Sequence, residues 1–237
     1  MKKKPLHYQI RQDLLGKIES GVYKTGTIIP KEVDLAEYYN VSRPTVRQAI
    51  QALVSDGYLE RRKKRGTIVK KKKISQDFTH HIISYDEEMK QKQISHKTNV
   101  LNLDIEESDY EVSDALNISE GDEVYKLVRL RYANDEPNVL VTSYLPVKGL
   151  PDLLEIDFSQ ISLYSTLNKH DLAVKSVTRT LDVIQADELT ANLLNIEKYD
   201  PIFYFHTIGR NKDNTPIEYS IAWYRGDVNS FQFNINI

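Results

Sequence analysis

Val41-Ser-Arg-Pro-Thr-Val-Arg-Gln-Ala-Ile-Gln-Ala-Leu53 is the stretch on which the reading of this chain turns. Val46, Ala49, Ile50 and Leu53 fall at i, i+3, i+4 and i+7, the spacing of one buried helical face. Ser42 stands where an N-cap is wanted, and Pro44 falls in the first turn, where its missing N–H bonds nothing. Arg43, Arg47, Gln48 and Gln51 lie with Pro44 on the opposite face, so side chains able to reach phosphates or base edges cluster at the helix start. Ordinary surface helices carry similar residues, and the flanking segments decide between the two readings.

Upstream, Leu6, Ile10, Leu14 and Ile18 recur every four residues through His7–Ser20, and Gly21 follows as a stop, which predicts a first helix. Lys31–Asn40 predicts a second, with Leu35, Ala36 and Tyr39 on one face and Glu32 and Asp34 in the acid-favouring first turn. A short connection through Asn40-Val41-Ser42 then gives a helix-turn-helix, whose second helix enters the major groove of DNA. Downstream, Tyr58–Arg62 and Thr67–Val69 predict short strands around Lys63-Lys64-Arg65-Gly66, a hairpin with a basic tip. Such a tip is either a solvated turn or a wing that meets phosphates or the minor groove.

Charge divides the chain as the patterns do. Residues 1–73 hold 18 Lys and Arg against 7 Asp and Glu, and the remainder holds 14 against 27, although the whole chain is only −2. The first third suits a polyanion and the rest is repelled by one. There is no cysteine, hence no disulfide framework and no thiolate metal site. No apolar run reaches membrane-span length and no apolar stretch follows the basic start, so a cytoplasmic address without membrane contact is expected.

Pro5-Leu-His-Tyr-Gln-Ile10, Gly26, Pro30-Lys-Glu32, Leu35-Ala36, Val41-Ser-Arg-Pro-Thr-Val-Arg47, Leu53, Asp56-Gly-Tyr-Leu59 and Arg65-Gly-Thr67 resemble the winged helix-turn-helix of the GntR family of bacterial transcription regulators. The resemblance covers nearly all of residues 5–69. It implies DNA contacts from Lys31, Ser42, Arg43, Thr45, Arg47 and Gln48, and from Lys64, Arg65, Gly66 and Thr67 at the wing. Two positions depart from the family pattern. Val33 stands where many members carry a base-reading arginine, and Lys64 where a wing glycine is usual, which bears on the operator sequence rather than on DNA binding itself.

Beyond Lys70–Lys73, whose plain reading is a solvated linker over 70–79, Asp86–Gln93 predicts a short helix. The remainder repeats itself. Leu116-Asn-Ile118 recurs as Leu194-Asn-Ile196, a shift of 78 residues, and Asp122-Glu-Val-Tyr125 meets Asp200-Pro-Ile-Phe203 at the same shift. Each copy continues through a strand, a turn and a second strand. An antiparallel sheet of two related halves follows, with Leu163–His170 a connecting helix and Val174–Ile184 a further strand.

With Tyr125, Arg129-Leu-Arg131, Pro137, Ser143-Tyr-Leu-Pro146, Ser162-Leu-Tyr164, Asp187-Glu188, Pro216-Ile-Glu218 and Tyr224-Arg-Gly-Asp227, this layout resembles UTRA, the effector-binding domain of the HutC subfamily, which is similar in fold to chorismate lyase. The resemblance implies an α+β domain over about 80–237 that binds a small metabolite, often a sugar phosphate. Alternation places Tyr125, Leu127, Arg129 and Arg131 on one face of a strand, which gives two adjacent guanidiniums a common direction. If that face lines a pocket they form a fork for phosphate or carboxylate, with Ser84, Ser162 and Tyr164 as further donors and Glu218 and Tyr224 for sugar hydroxyls. The alternative is an exposed arginine ladder paired with nearby acids. Val141 replaces an acid that some sugar-phosphate binders carry on the second strand.

No H-E-x-x-H, G-x-S-x-G, G-x-G-x-x-G or P-loop pattern is present, and Arg225 and Asp227 read as a structural ion pair. The expectation is a two-domain regulator: residues 1–69 binding an operator, a linker over 70–79, and residues 80–237 sensing an anionic effector and joining a homodimer, with no cofactor and no catalysis. A ligand-independent architectural DNA-binding protein and a chorismate-lyase-like enzyme are the alternatives.

Overall fold

Leu14, Val46, Ala49, Ile50 and Leu53 are almost entirely removed from solvent and form the centre of the N-terminal core, as the four-residue and i, i+3, i+4, i+7 spacings require. The computed structural model describes residues 5–63, 65–70, 73–77 and 84–233, and the chain divides into two units at Ile74/Ser75. In the first unit, α1 (Leu6–Glu19), α2 (Glu32–Tyr38) and α3 (Arg43–Ser55) are followed by the hairpin β1 (Leu59–Arg62) and β2 (Gly66–Val69). Each leucine so buried contributes about 1.5–3 kcal/mol.

The wing has a third backbone at its base. Ile29 donates to the Thr67 carbonyl and Val69 to the Thr27 carbonyl, both at 2.9 Å, so residues 27–29 run beside β2. Gly66 has φ +107°, and a Cβ there would lie 3.1 Å from Ile28 Cγ2. Backbone conformation and close approach both demand glycine at this position.

In the second unit, β4 (His96–Glu107), β5 (Glu123–Ala133), β6 (Glu136–Pro146), β7 (Ser176–Gln185), β8 (Pro201–Arg210) and β9 (Pro216–Arg225) form one antiparallel sheet in the order β4-β5-β6-β9-β8-β7. The internal repeat is real and longer than the sequence pattern suggests. Helix α5 (Tyr110–Leu116) and helix α7 (Glu188–Leu194) each have an aspartate N-cap and a left-handed asparagine after the last turn, and each copy also opens with a strand, β4 or β7. The two halves meet at the β6–β9 seam.

The repeat helices cover one face of the sheet: Val112 and Leu116 pack with Val124 and Tyr219, and Ala191 and Leu194 pack with Leu130, Leu140 and Ile202. The other face carries Tyr125, Leu127 and Leu145 against Phe158 and helix α6 (Leu163–Lys169). Helix α4 is Tyr85–Gln91, one residue earlier at its start than expected and two shorter at its end. The expected linker over 70–79 is also shorter, because β3 (Ile74–Asp77) pairs with β10 (Asn229–Gln232) and Gln76 is fully buried. Among the described residues, no helix is long and apolar enough to cross a membrane.

Candidate functional site

The exposed side of α3 is built by its buried side. With Val46, Ala49, Ile50 and Leu53 fixed in the core, Arg43, Arg47 and Gln48 are held outward and exposed, and Thr45 is half-buried. Ser42 occupies the N-cap, but its hydroxyl meets the Thr45 hydroxyl at 2.8 Å and makes no side-chain cap to the backbone, a departure from the expected capping bond. Lys31 precedes α2, where the Asp34 carboxylate accepts from its backbone N–H at 3.3 Å. Arg65 and Gly66 are exposed on the wing, Thr67 is half-buried, and Lys64 lies outside the described residues. Gly66 has the structural duty given above whatever it touches.

Glu32, expected only as a first-turn acid of the second helix, ties this surface together with Arg61. Glu32 accepts from Arg47 Nε at 2.9 Å with one carboxylate oxygen and from Arg61 Nη2 at 3.0 Å with the other. The α3 arginine and an arginine of wing strand β1 are therefore held by one acid from α2. Their distance in sequence, 15 and 29 residues from Glu32, hides the relation from any local pattern.

The second unit holds a cavity on the sheet face away from α5 and α7, enclosing about 710 Å³ of empty space with its mouth included. All seven expected effector residues line it: Ser84 before α4, Arg129 and Arg131 on β5, Ser162 and Tyr164 at the start of α6, and Glu218 and Tyr224 on β9. Alternation accounts for the arginines, since Arg129 lies two residues beyond core Leu127 on the same face. The exposed-ladder alternative does not hold for Arg129, which is 3% exposed.

Arg129 Nη2 donates to Ser143 Oγ at 2.8 Å, and Ser143 Oγ donates to Glu218 Oε1 at 2.9 Å. Arg131 stacks over the Tyr85 ring, 5.2 Å from its centre. Three buried polar atoms of this site, Arg129 Nε, Arg131 Nε and Glu218 Oε2, have no hydrogen-bond partner among the described residues. Burial first and the neighbouring Arg131 second push the Arg129 pKa down to about 9. A guanidinium keeps its proton at neutral pH, so the shift expresses a charge that would welcome an anion. Burial and Glu88 push the Tyr224 phenol up to about 12, and burial with the Glu218 carboxylate pushes Tyr164 up further. Both remain neutral hydroxyl donors.

Ser84 and Ser162 also cap helices, accepting from Glu87 N at 3.3 Å and from Ser165 N at 3.4 Å. Their oxygens are thereby fixed at the cavity wall. Tyr85, Glu88, Arg179 and Thr207 line the cavity as well and were not anticipated from sequence. Behind the wall runs a buried polar chain: Asn138 donates to the Tyr85 hydroxyl at 3.1 Å, Asn229 donates to Asn138 at 2.8 Å, and the Asn229 and Gln76 amides meet at 2.9 Å. Arg225 and Asp227 form the expected ion pair at 2.7 Å.

Residues 6–69 match the family described as bacterial regulatory proteins, gntR family, and residues 91–229 match the UTRA domain. The chain is 30% identical to the HTH-type transcriptional repressor NagR of Bacillus subtilis (strain 168), over 96% of this chain and 93% of that protein. It is 32% identical to a probable fructoselysine utilization operon transcriptional repressor of Escherichia coli (strain K12), over 94% and 91%. The crystal structure of PhnF from Mycobacterium smegmatis superposes with a TM-score of 0.80 at 28% identity, covering 96% of this chain and 99% of that one.

Proposed function

This chain belongs to the GntR family of bacterial regulators, in the branch with a UTRA domain, and from that premise we propose a repressor whose effector is a phosphorylated sugar. DNA binding by the N-terminal unit and small-molecule sensing by the C-terminal unit come with the family, and its members are transcription regulators, not enzymes. The observation that carries the ligand class is the convergence of Arg129, Arg131 and the two capping serines on one buried cavity. Two fixed guanidiniums with hydroxyl donors beside them suit the three equivalent oxygens of a phosphate. Glu218 and Tyr224 then face the hydroxyls of the sugar. A relative named for fructoselysine utilization supports a carbohydrate-derived effector.

On the DNA side, Arg43, Arg47 and Gln48 read and grip the major groove, Lys31, Ser42 and Thr45 assist at the backbone, and Lys64–Thr67 form the wing contact. A homodimer fits the geometry of a pseudo-palindromic operator, because one small winged unit reads few bases and two joined by symmetry combine their affinities. Ligand shifts the population away from the arrangement that presents both N-terminal units at operator spacing, acting through the short segment between Val69 and Ile74. A protein that works on DNA inside the cell has a cytoplasmic address.

The test is a thermal-shift screen of the full chain against sugar phosphates, amino sugar phosphates and their unphosphorylated sugars. A ligand at about 100 times its Kd adds roughly 2.7 kcal/mol to stability. A hit that needs the phosphate, releases a selected operator and is lost in Arg131→Ala supports the reading. Hits confined to uncharged sugars would overturn it.

A further inference from the structure

Two hollows of the second unit share a wall. The effector cavity and a groove between α4 and α6 both include Ser84, Ser162 and Tyr164, so the two spaces meet at those hydroxyls. Arg129, Arg131, Glu218 and Tyr224 line the inner space only, and Lys90, Ser165, Asn168 and Lys169 the outer one only. The groove is the roomier, with about 1280 Å³ of empty space against about 710 Å³, both counted with their openings.

An anion held by the two guanidiniums and both serines therefore stands at a junction and not at a closed end. A phosphate monoester has one organic substituent, and with its sugar toward Glu218 and Tyr224 it leaves the groove empty. A diester has one substituent for each side and keeps two free oxygens for the two guanidiniums. The groove wall defines the outer substituent. Lys90, Ser165, Asn168 and Lys169 are exposed, and their side chains have no hydrogen bond or ion pair among the described residues. Asp86, which faces His96, adds an acceptor on the α4 side. Ammonium, amide, hydroxyl and carboxylate groups together suit a hydroxyl-rich unit rather than an apolar one.

We propose that the effector is a phosphodiester: a sugar unit in the inner cavity, its phosphate at the serine junction, and a second hydroxyl-rich unit, such as glycerol or another sugar, in the groove between α4 and α6. The inference rests on the cavity being the effector site and narrows the ligand class there. It also makes Asn168, outside the cavity, a specificity-determining residue.

The test is calorimetric titration of the full chain with inorganic phosphate, glucose 6-phosphate, its methyl phosphodiester and its glycerol phosphodiester. Wild type, Asn168→Ala and Lys90→Ala are compared. The two diesters differ only in the outer unit, so their comparison reads the groove alone. The glycerol diester is expected to bind about tenfold tighter than the methyl diester, and Asn168→Ala to erase most of that gain while leaving the methyl diester unchanged. Binding of the monoester with exclusion of both diesters overturns the inference and leaves the effector site standing. Equal binding of the two diesters also overturns it, as does a gain that survives in both variants, because the groove then holds nothing. If none of the probes binds, inorganic phosphate included, the effector-site reading falls and this inference with it.

Discussion

Arg47 of the recognition helix donates to Glu32 at 2.9 Å, and the same carboxylate holds Arg61 of the wing strand at 3.0 Å. Exposed ion pairs add only ~0–1 kcal/mol to stability, so the consequence is positional. Glu32 fixes the plane of the guanidinium proposed to meet the groove. Arg47→Ala is expected to weaken operator binding by about 1–3 kcal/mol without unfolding the protein. Glu32→Gln removes a negative charge near phosphates, so binding to scrambled DNA should strengthen while the operator-to-scrambled ratio falls. Fluorescence anisotropy on both duplexes measures this, and an unchanged ratio would deny Glu32 any orienting role.

Arg131 is the cleaner probe of the cavity than Arg129. Truncating Arg129 leaves buried Glu218 and Ser143 without their guanidinium, so lost induction would be mixed with lost stability. Arg131 is half-buried and stacks on Tyr85, and its removal strands no buried acid directly bonded to it. Arg131→Ala should weaken a phosphorylated effector by about 1.5–3 kcal/mol, the worth of charge-assisted hydrogen bonds, with operator affinity unchanged in the absence of ligand. Parallel calorimetry and operator binding check it. Normal induction in this variant would move the effector site elsewhere.

The parts of the fold that sequence reveals are those with a strong internal period. The recognition helix and the alternation of β5 place their own functional side chains, because one buried face fixes the other. The 78-residue repeat likewise announces α5 and α7. Edge strand β4 escaped notice because it is charged and mostly exposed or half-exposed along its length, and an edge has little core to advertise. A signal was there: Leu103-Asp-Ile105 and Leu181-Asp-Val183 stand at the same shift. Arg179 and Glu32 had no such signal. One enters its site through the register of five strands and the other through contacts between three elements, neither of which is written in any window of residues. Strand β3 has no hydrophobic pattern either, and what buries it is the Gln76 amide meeting Asn229.

That buried polar chain predicts a separation of binding from response. Tyr85 presents its ring to Arg131 in the cavity and its hydroxyl to Asn138, from which hydrogen bonds continue through Asn229 to Gln76 in β3, the first strand after the linker. Tyr85→Phe keeps the ring and deletes the link. Effector affinity should change less than threefold, about 0.6 kcal/mol, whereas the ligand-induced loss of operator binding should shrink by about tenfold, within the usual range of allosteric coupling energies. Titrating operator complexes with ligand, and ligand complexes with operator, gives the coupling twice. Full coupling in Tyr85→Phe would send the signal by another route.

Acid stability should carry the mark of one helix cap. Asp187 accepts from Thr190 N at 2.7 Å, and these hydrogen bonds hold its carboxyl below the usual carboxylate range. A depressed folded value means that the stabilisation is fully present above the unfolded pKa, near 3.9 for aspartate, and is lost as pH falls through the folded one. Replacement by alanine removes the cap at every pH and should cost about 0.5–2 kcal/mol at neutrality. Asp187→Ser keeps a cap that does not titrate, so its stability relative to wild type should improve as the pH drops below about 4. Urea unfolding of the second unit at a series of pH values reads both differences. If wild type and Asp187→Ser lose stability in parallel down to the lowest pH, the carboxylate of Asp187 is not part of the acid response.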